Sequence, residues 1–224
     1  MSPQHQHGQS DPDTLVRVGG WLFTRRTGLP LPLALALLLI PSAEKRSLSL
    51  FAGAAMVAIG ELIRLWAVHH IGAISRTRSD RLGPLVSTGP FSLVRNPLYL
   101  GNIALWVGFA LSAGLLWMVP VIVLVLGLAY HAIVRWEERL LESRRGEEYR
   151  AYAARVPRWM PALHHGGHGG PGGKNPQDRT SASSVVSVSW RETFFSERGT
   201  LIAIAIGFLL LYLKFVVLRS RAGL

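Results

Sequence analysis

Arg95, Asn96, Pro97 and Tyr99 stand at the head of one apolar run, and Glu137 and Glu138 stand at the tail of the next. Carboxylates accept hydrogen bonds from hydroxyl and amino groups and face positive charge, whereas a guanidinium holds phosphate or carboxylate. A site holding both kinds of group can bind a cationic molecule and an anionic one side by side. A second polar group lies deeper, in "GELIRLWAVHH", where Glu61 and Arg64 are three residues apart inside an apolar segment. An unpaired Arg at that depth costs roughly 2.5 to 3.5 kcal/mol on insertion scales, so it either pairs with Glu61 or faces the interior and holds an anionic group of a substrate.

The two runs are joined by only "SAG", which makes two antiparallel helices the natural arrangement. Pairing about residues 113 and 114 sets Asn96 level with His131 and Tyr99 level with Leu128. At helical spacing His131, Arg135 and Glu138 share one face, while Tyr130, Val134, Glu137 and Leu141 share the neighbouring one. Each member also has a purely structural account. Asn96 and Pro97 suit an N-cap and first helical residue, Tyr99 suits an interfacial anchor, and the two acids suit Arg135, Arg139 and Arg144 as partners.

The elements that must position these residues are membrane helices. The chain has 224 residues, 49% of them hydrophobic, and its charges fall between apolar blocks. Three blocks, Leu48 to Ile71, Leu115 to Val134 and Leu201 to Leu218, are long enough to cross an apolar core about 30 Å thick. Gly28 to Ile40 and Pro97 to Ala113 are shorter and are counted with them, giving an all-α polytopic membrane protein of about five transmembrane helices with a catalytic helical hairpin. With the N-terminus inside, eighteen Lys and Arg fall on the cytoplasmic side and five on the other, with Arg64 within a span. That asymmetry places the N-terminus and the site at the cytoplasmic face. It also accounts for the net charge of +11 without nucleic acid as a partner, and gives the face an attraction for anionic lipid.

The chain contains no cysteine, which excludes disulfides, thiolate catalysis and cysteine-ligated zinc. Residues 1–20 read as a loose tail and 21–161 as the functional core. Residues 162–189 read as a flexible Gly/His/Ser-rich linker, and 190–224 as an appended transmembrane anchor. His164, His165 and His168 in the linker could chelate a metal, but ordering a glycine-rich segment opposes it, and no metal is assigned.

"LVSTGPFSLVRNPLYLG" (Leu85 to Gly101), followed by "EERLLESRRGEEYRAYAARVPRWMP" (Glu137 to Pro161), resembles the membrane methyltransferases that include isoprenylcysteine carboxyl methyltransferases and phospholipid N-methyltransferases. Their shared order is a Gly-Pro-aromatic turn, Arg-His-Pro-x-Tyr-x-Gly, a transmembrane hairpin, Glu-Glu-x-x-Leu and Tyr-x-x-Tyr near a proline. The resemblance covers roughly residues 48 to 161. It implies an S-adenosylmethionine site where the hairpin meets the cytosol, with Asn96, Tyr99, Gly101, Glu137 and Glu138 at the cofactor. It also makes "RLWA", from Arg64, a family feature, and Arg64 and Arg95 are assigned to catalysis through an anionic group on a lipid-like acceptor. Two positions depart from the pattern. Asn96 replaces the usual His, as in the Asn-Pro-Met-Tyr form of phospholipid N-methyltransferases, which favours an amine headgroup over a prenylated carboxylate. Arg145 replaces an aromatic residue before Gly146, in the turn that follows the hairpin.

Methyl transfer needs in-line geometry and no metal, so positioning carries much of the rate. The soluble Rossmann type of methyltransferase is excluded, because its glycine-rich strand-to-helix turn is absent. Two other readings stand beside this one. Sterol reductases that use NADPH carry a similar Arg-x-Pro-x-Tyr hairpin, but with Pro-Asn-Tyr and an acidic residue where this chain has Pro97, Leu98, Tyr99 and Asn102. A non-enzymatic membrane scaffold is the third.

Overall fold

A chain this apolar must satisfy its backbone internally wherever it meets lipid, and the helix does so within a single segment. The computed structural model describes residues 14–42, 47–72, 85–161 and 189–221, and among these every regular element is a helix. They are α1 (Thr14–Arg25), α2 (Leu31–Leu39), α3 (Ser47–Ile71), a 3-10 turn (Gly89–Ser92), α4 (Pro97–Ser112), α5 (Met118–Arg145), α6 (Glu147–Arg155) and α7 (Trp190–Arg221). The histidine-rich linker and its possible metal ligands lie outside the described residues.

Among the described residues, three helices have the length and composition to cross a membrane: Leu48–Ile71, Met118–Arg145 and Trp190–Leu218. The five expected spans are therefore not all matched. The 16 residues of α4 extend about 24 Å, and the nine of α2 only about 14 Å, less than half the apolar thickness. Proline bounds α2 at both ends. Pro32 sits in its first turn, and Ile40, which precedes Pro41, is extended (φ −76°, ψ 122°), as the ring of a following proline favours. Within that short helix Leu33 and Leu37 are buried in the core.

The closest helix pair is α3 with α4. Gly60 faces Gly101 and Gly53 faces Gly108, one heptad apart on each helix. A Cβ added to Gly60 would sit 2.8 Å from the Gly101 carbonyl oxygen, and one added to Gly101 would sit 2.8 Å from that of Gly60. Small residues let backbones approach in this way, and in lipid such packing takes over from the hydrophobic effect. The buried stripe of α5 (Met118, Ile122, Leu126, Tyr130, Ile133) follows helical spacing and meets α2, α4 and α7.

Residues 14–20, expected in the loose tail, are the first turns of α1. That helix lies along α5, with Gly19 against the Ala132 backbone and Phe23 against Trp136 (ring centroids 4.7 Å). At 28 residues α5 is about 42 Å long, so its charged last turns project beyond an apolar core. Gly146, at φ +53°, ends α5 and turns the chain into α6, which folds back beneath the hairpin.

Candidate functional site

At the polar end of the hairpin the acidic pair separates into two environments. Glu138 is held by two arginines: Arg158 donates through Nε (2.9 and 3.1 Å) and a terminal nitrogen (2.7 Å), and Arg95 lies at 2.9 Å. Glu138 and Arg95 are each 14% exposed, so this is a largely desolvated triad rather than a surface pair. Around it Arg95 donates to the Tyr149 hydroxyl (3.4 Å), and its backbone N–H donates to the Pro157 carbonyl (2.9 Å). The Tyr152 hydroxyl donates to the Phe91 carbonyl (2.8 Å), tying α6 to the 3-10 turn. Burial pushes the Tyr152 hydroxyl up to about 12 and raises that of Tyr149, while the hydrogen bonds to Glu138 raise Arg158. The tyrosines and Arg158 therefore stay protonated as donors throughout the neutral range.

Glu137 points elsewhere. Its Oε1 accepts a hydrogen bond from the Tyr99 hydroxyl at 3.0 Å, and among the described residues its other oxygen makes no hydrogen bond. Tyr99 packs on Tyr130 with ring centroids 4.7 Å apart, and Tyr130 lines a cavity of about 590 Å3 among α2, α3, α4, α5 and α7. Arg26, Arg64, Asn102 and Thr200 supply its polar wall, and leucines, Trp106 and Phe109 much of the rest. At about 30 Å3 for a water-sized group, the space takes about 20 such groups, the bulk of one hydrocarbon chain with a small head.

The level of the hairpin is displaced from the symmetric expectation, because α5 begins at Met118 rather than Leu115. Tyr99 therefore packs, with its ring tilted, against Tyr130 instead of lying beside Leu128. Asn96 occupies the N-cap position of α4, but its side chain makes no capping bond; its Nδ2 donates to the Arg158 carbonyl at 3.1 Å. Gly101 lies at the α3–α4 crossing, where it meets Gly60 and the Arg64 side chain.

Arg64 pairs with Glu61 at 3.4 Å, as its spacing suggested, yet its main partners come from elsewhere. Its two terminal nitrogens donate to Asn102 Oδ1, to Glu197 Oε2 (2.6 Å) and to Thr200 Oγ1 (3.0 Å). Both arginines assigned to an acceptor anion, Arg64 and Arg95, are thus already engaged by carboxylates, and Arg64 alone of the two faces the cavity. No group of three or more metal-binding side chains occurs among the described residues.

Reasoning from sequence missed Arg158, Arg26, Asn102 as a partner, and Glu197. Arg158 had a signal, since it lies in the "ARVPRWMP" stretch that closes the family-like order of motifs. Glu197 had a fainter one, as an acid where "WRETFFSERG" turns into an apolar run.

Two relatives align with about half of this chain. One is the nickel-cobalt-cadmium resistance protein NccN of Alcaligenes xylosoxydans xylosoxydans, 34% identical over 111 residues (50% of this chain, 47% of the relative). The other is the cobalt-zinc-cadmium resistance protein CzcN of Cupriavidus metallidurans, 33% identical over 107 residues (48% and 46%). The chain therefore spans about half the length of the relatives it matches. No solved structure matches. Residues 48–148, which carry α3, the hairpin and both acids, match the model of the phospholipid methyltransferase family, and that segment is similar to the membrane methyltransferases.

Proposed function

We propose that the chain is an S-adenosylmethionine-dependent methyltransferase acting at the membrane interface on a lipid-like acceptor. The observation that carries this reading is the Tyr99–Glu137 pair beside a largely apolar cavity, within the family-matched segment.

The residues present fit such a cofactor unevenly. Glu137 fits, with one oxygen fixed by Tyr99 and the other left for a hydroxyl, an amino group or a cationic centre. Glu138 does not, because Arg95 and Arg158 occupy its oxygens, so its role is to hold the floor of the site. Asn96 sits between these two regions, tied to Arg158. Bound there, the cofactor would supply an electrophilic methyl group, and Glu137 would be the carboxylate placed to hold its hydroxyl, amino or cationic groups. The chain contributes position and environment: Tyr99 fixes Glu137, Tyr130 backs Tyr99, and the apolar walls exclude water from a hydrocarbon chain lying against them. Arg26 and Arg64 suit an anionic portion of the acceptor, and the eighteen-to-five distribution of Lys and Arg supports a cytoplasmic site.

The relatives named for metal resistance add a setting, in which methylation of an envelope lipid contributes to tolerance of divalent metals. Nothing in the family match or in the relatives' names favours the reductase alternative.

Labelled S-adenosylmethionine supplied to membranes containing the protein, followed by mass spectrometry of the lipid fraction, tests the reading. A labelled lipid that depends on the protein and disappears with Glu137→Gln supports it. Absence of any heat of S-adenosylmethionine binding by the purified chain in detergent overturns it.

A further inference from the structure

The last helix lies wholly outside the family-matched segment and, by sequence, reads as a detachable anchor. In the structure it is pinned at two depths. Near its start, Glu197 is fully buried and accepts from Arg64 at 2.6 Å. Near its end, the Lys214 ammonium donates to the carbonyls of Leu37 (2.7 Å) and Ile40 (2.6 Å), which close the C-terminal end of α2. The two pins are about 26 Å apart at 1.5 Å per residue, close to the full apolar thickness.

Polar groups buried at those depths are costly unless satisfied, so the pins fix both the height and the rotation of α7. Between them Thr200, Ala203 and Gly207 face the cavity, and Gly207 permits close approach to Phe109 of α4. The opposite faces of α7 carry exposed apolar side chains, among them Phe195, Ile202, Leu209 and Leu213.

We propose that α7 is a built wall of the acceptor cavity, and that Glu197 is a positioning residue that aims Arg64 into it. The second part rests on the methyl-transfer reading of that cavity; the first does not. Of the four side chains around Arg64, two (Glu197 and Thr200) belong to α7, and both act on one terminal nitrogen. Asn102 takes the other nitrogen, so the guanidinium plane is set between α4 and α7. Without Glu197 that plane is free to turn towards Glu61 and leave the cavity wall. Glu197 itself does not line the cavity and acts through Arg64.

Because the chain lacks cysteine, Leu62→Cys and Phe195→Cys, both at exposed positions, introduce one spin-label pair across α3 and α7 in the full chain in nanodiscs. In this background Glu197→Ala broadens the distance distribution, and Glu197→Asp restores a narrow one. An unchanged distribution in Glu197→Ala overturns the docking of α7 through Glu197.

The second arm measures methyl transfer into vesicles of phosphatidylethanolamine and phosphatidylglycerol, together with S-adenosylmethionine binding by calorimetry. Glu197→Gln raises the KM for lipid at least ten-fold, with a smaller change in kcat and a cofactor Kd within two-fold of wild type. Glu197→Asp recovers most of the lost affinity. The exchange Arg64→Glu with Glu197→Arg keeps the narrow distribution and does not recover transfer. Full recovery by that exchange, or an unchanged KM in Glu197→Gln, overturns the positioning role and leaves the pair as a structural tie. If the wild-type chain binds no S-adenosylmethionine, the methyl-transfer reading fails, and the spin-label arm still decides whether α7 is docked.

Discussion

Replacing Glu138 with Gln is expected to destabilise the protein, whereas the same change at Glu137 is expected to cost cofactor affinity instead. Glu138 accepts three hydrogen bonds from Arg158 and lies 2.9 Å from Arg95. Removing one partner of a buried ion pair costs about 3–5 kcal/mol, because the remaining charge is left uncompensated. Here Arg158 is 27% exposed and can recover some hydration, and the Gln carbonyl still accepts one bond. Both effects bring the cost to about 2–3 kcal/mol, since hydrogen bonds to charged groups contribute about 1.5–3 kcal/mol each and do not add. For a chain of this size 1 kcal/mol corresponds to about 2–4 °C, so the melting midpoint should fall by about 4–12 °C. Tryptophan fluorescence during heating of the detergent-solubilised protein reads that midpoint, and calorimetry reads the affinity for S-adenosylmethionine. Glu137→Gln should leave the midpoint within about 2 °C and weaken binding about ten-fold or more, since in the proposed site it removes the carboxylate that would hold the cofactor. If Glu138→Gln left the midpoint unchanged while abolishing binding, the division of the acidic pair would be refuted.

Tyr99→Phe removes the only hydrogen bond to Glu137 found among the described residues, and should weaken cofactor binding by about 1–2 kcal/mol, or roughly 5- to 30-fold, in the same calorimetric assay. Gly101→Leu forces a side chain against the Gly60 carbonyl and should cost about 1–3 kcal/mol or more, seen as loss of monodisperse protein on size-exclusion chromatography; Gly127→Leu, where nothing lies within 4 Å, should be tolerated. Tyr152 gives a dependence on pH. Its hydroxyl, near 10 when unfolded, is pushed up to about 12, so between these values the unfolded chain has lost a proton that the folded chain keeps. That contribution is fully present below pH 10 and declines as pH rises towards 12, and midpoints measured from pH 8 to 12 should show a shallower alkaline decline in Tyr152→Phe than in wild type.

The helices themselves were legible in the sequence, because a run of about 20 apolar residues in lipid has few alternatives to an α-helix. The hairpin was legible too, since "SAG" permits only a tight reversal, and the shared face of Tyr130 and Glu137 followed from helical periodicity. The shorter segments were less clear: apolar composition marked Gly28 to Ile40 as a span, whereas Pro32 and Pro41 restrict its helix to nine residues. Within the candidate site, the motif order indicated which residues gather at the membrane surface but not which of them touch.

Glu137 and Glu138 are adjacent in sequence, yet one faces Tyr99 and the other Arg95 and Arg158, because successive helical residues point about 100° apart. Which direction meets which partner depends on the rotation of α5 against α4 and on the return of α6. The Arg64–Glu197 pair joins residues 133 positions apart in the chain. The sequence by itself determined the membrane helices, their order and the chemical types gathered at the polar end. Only the tertiary structure decided the pairing of charges and the place of α7, because those depend on how glycine contacts and buried polar pins set each helix in depth and rotation, and local periodicity does not encode either.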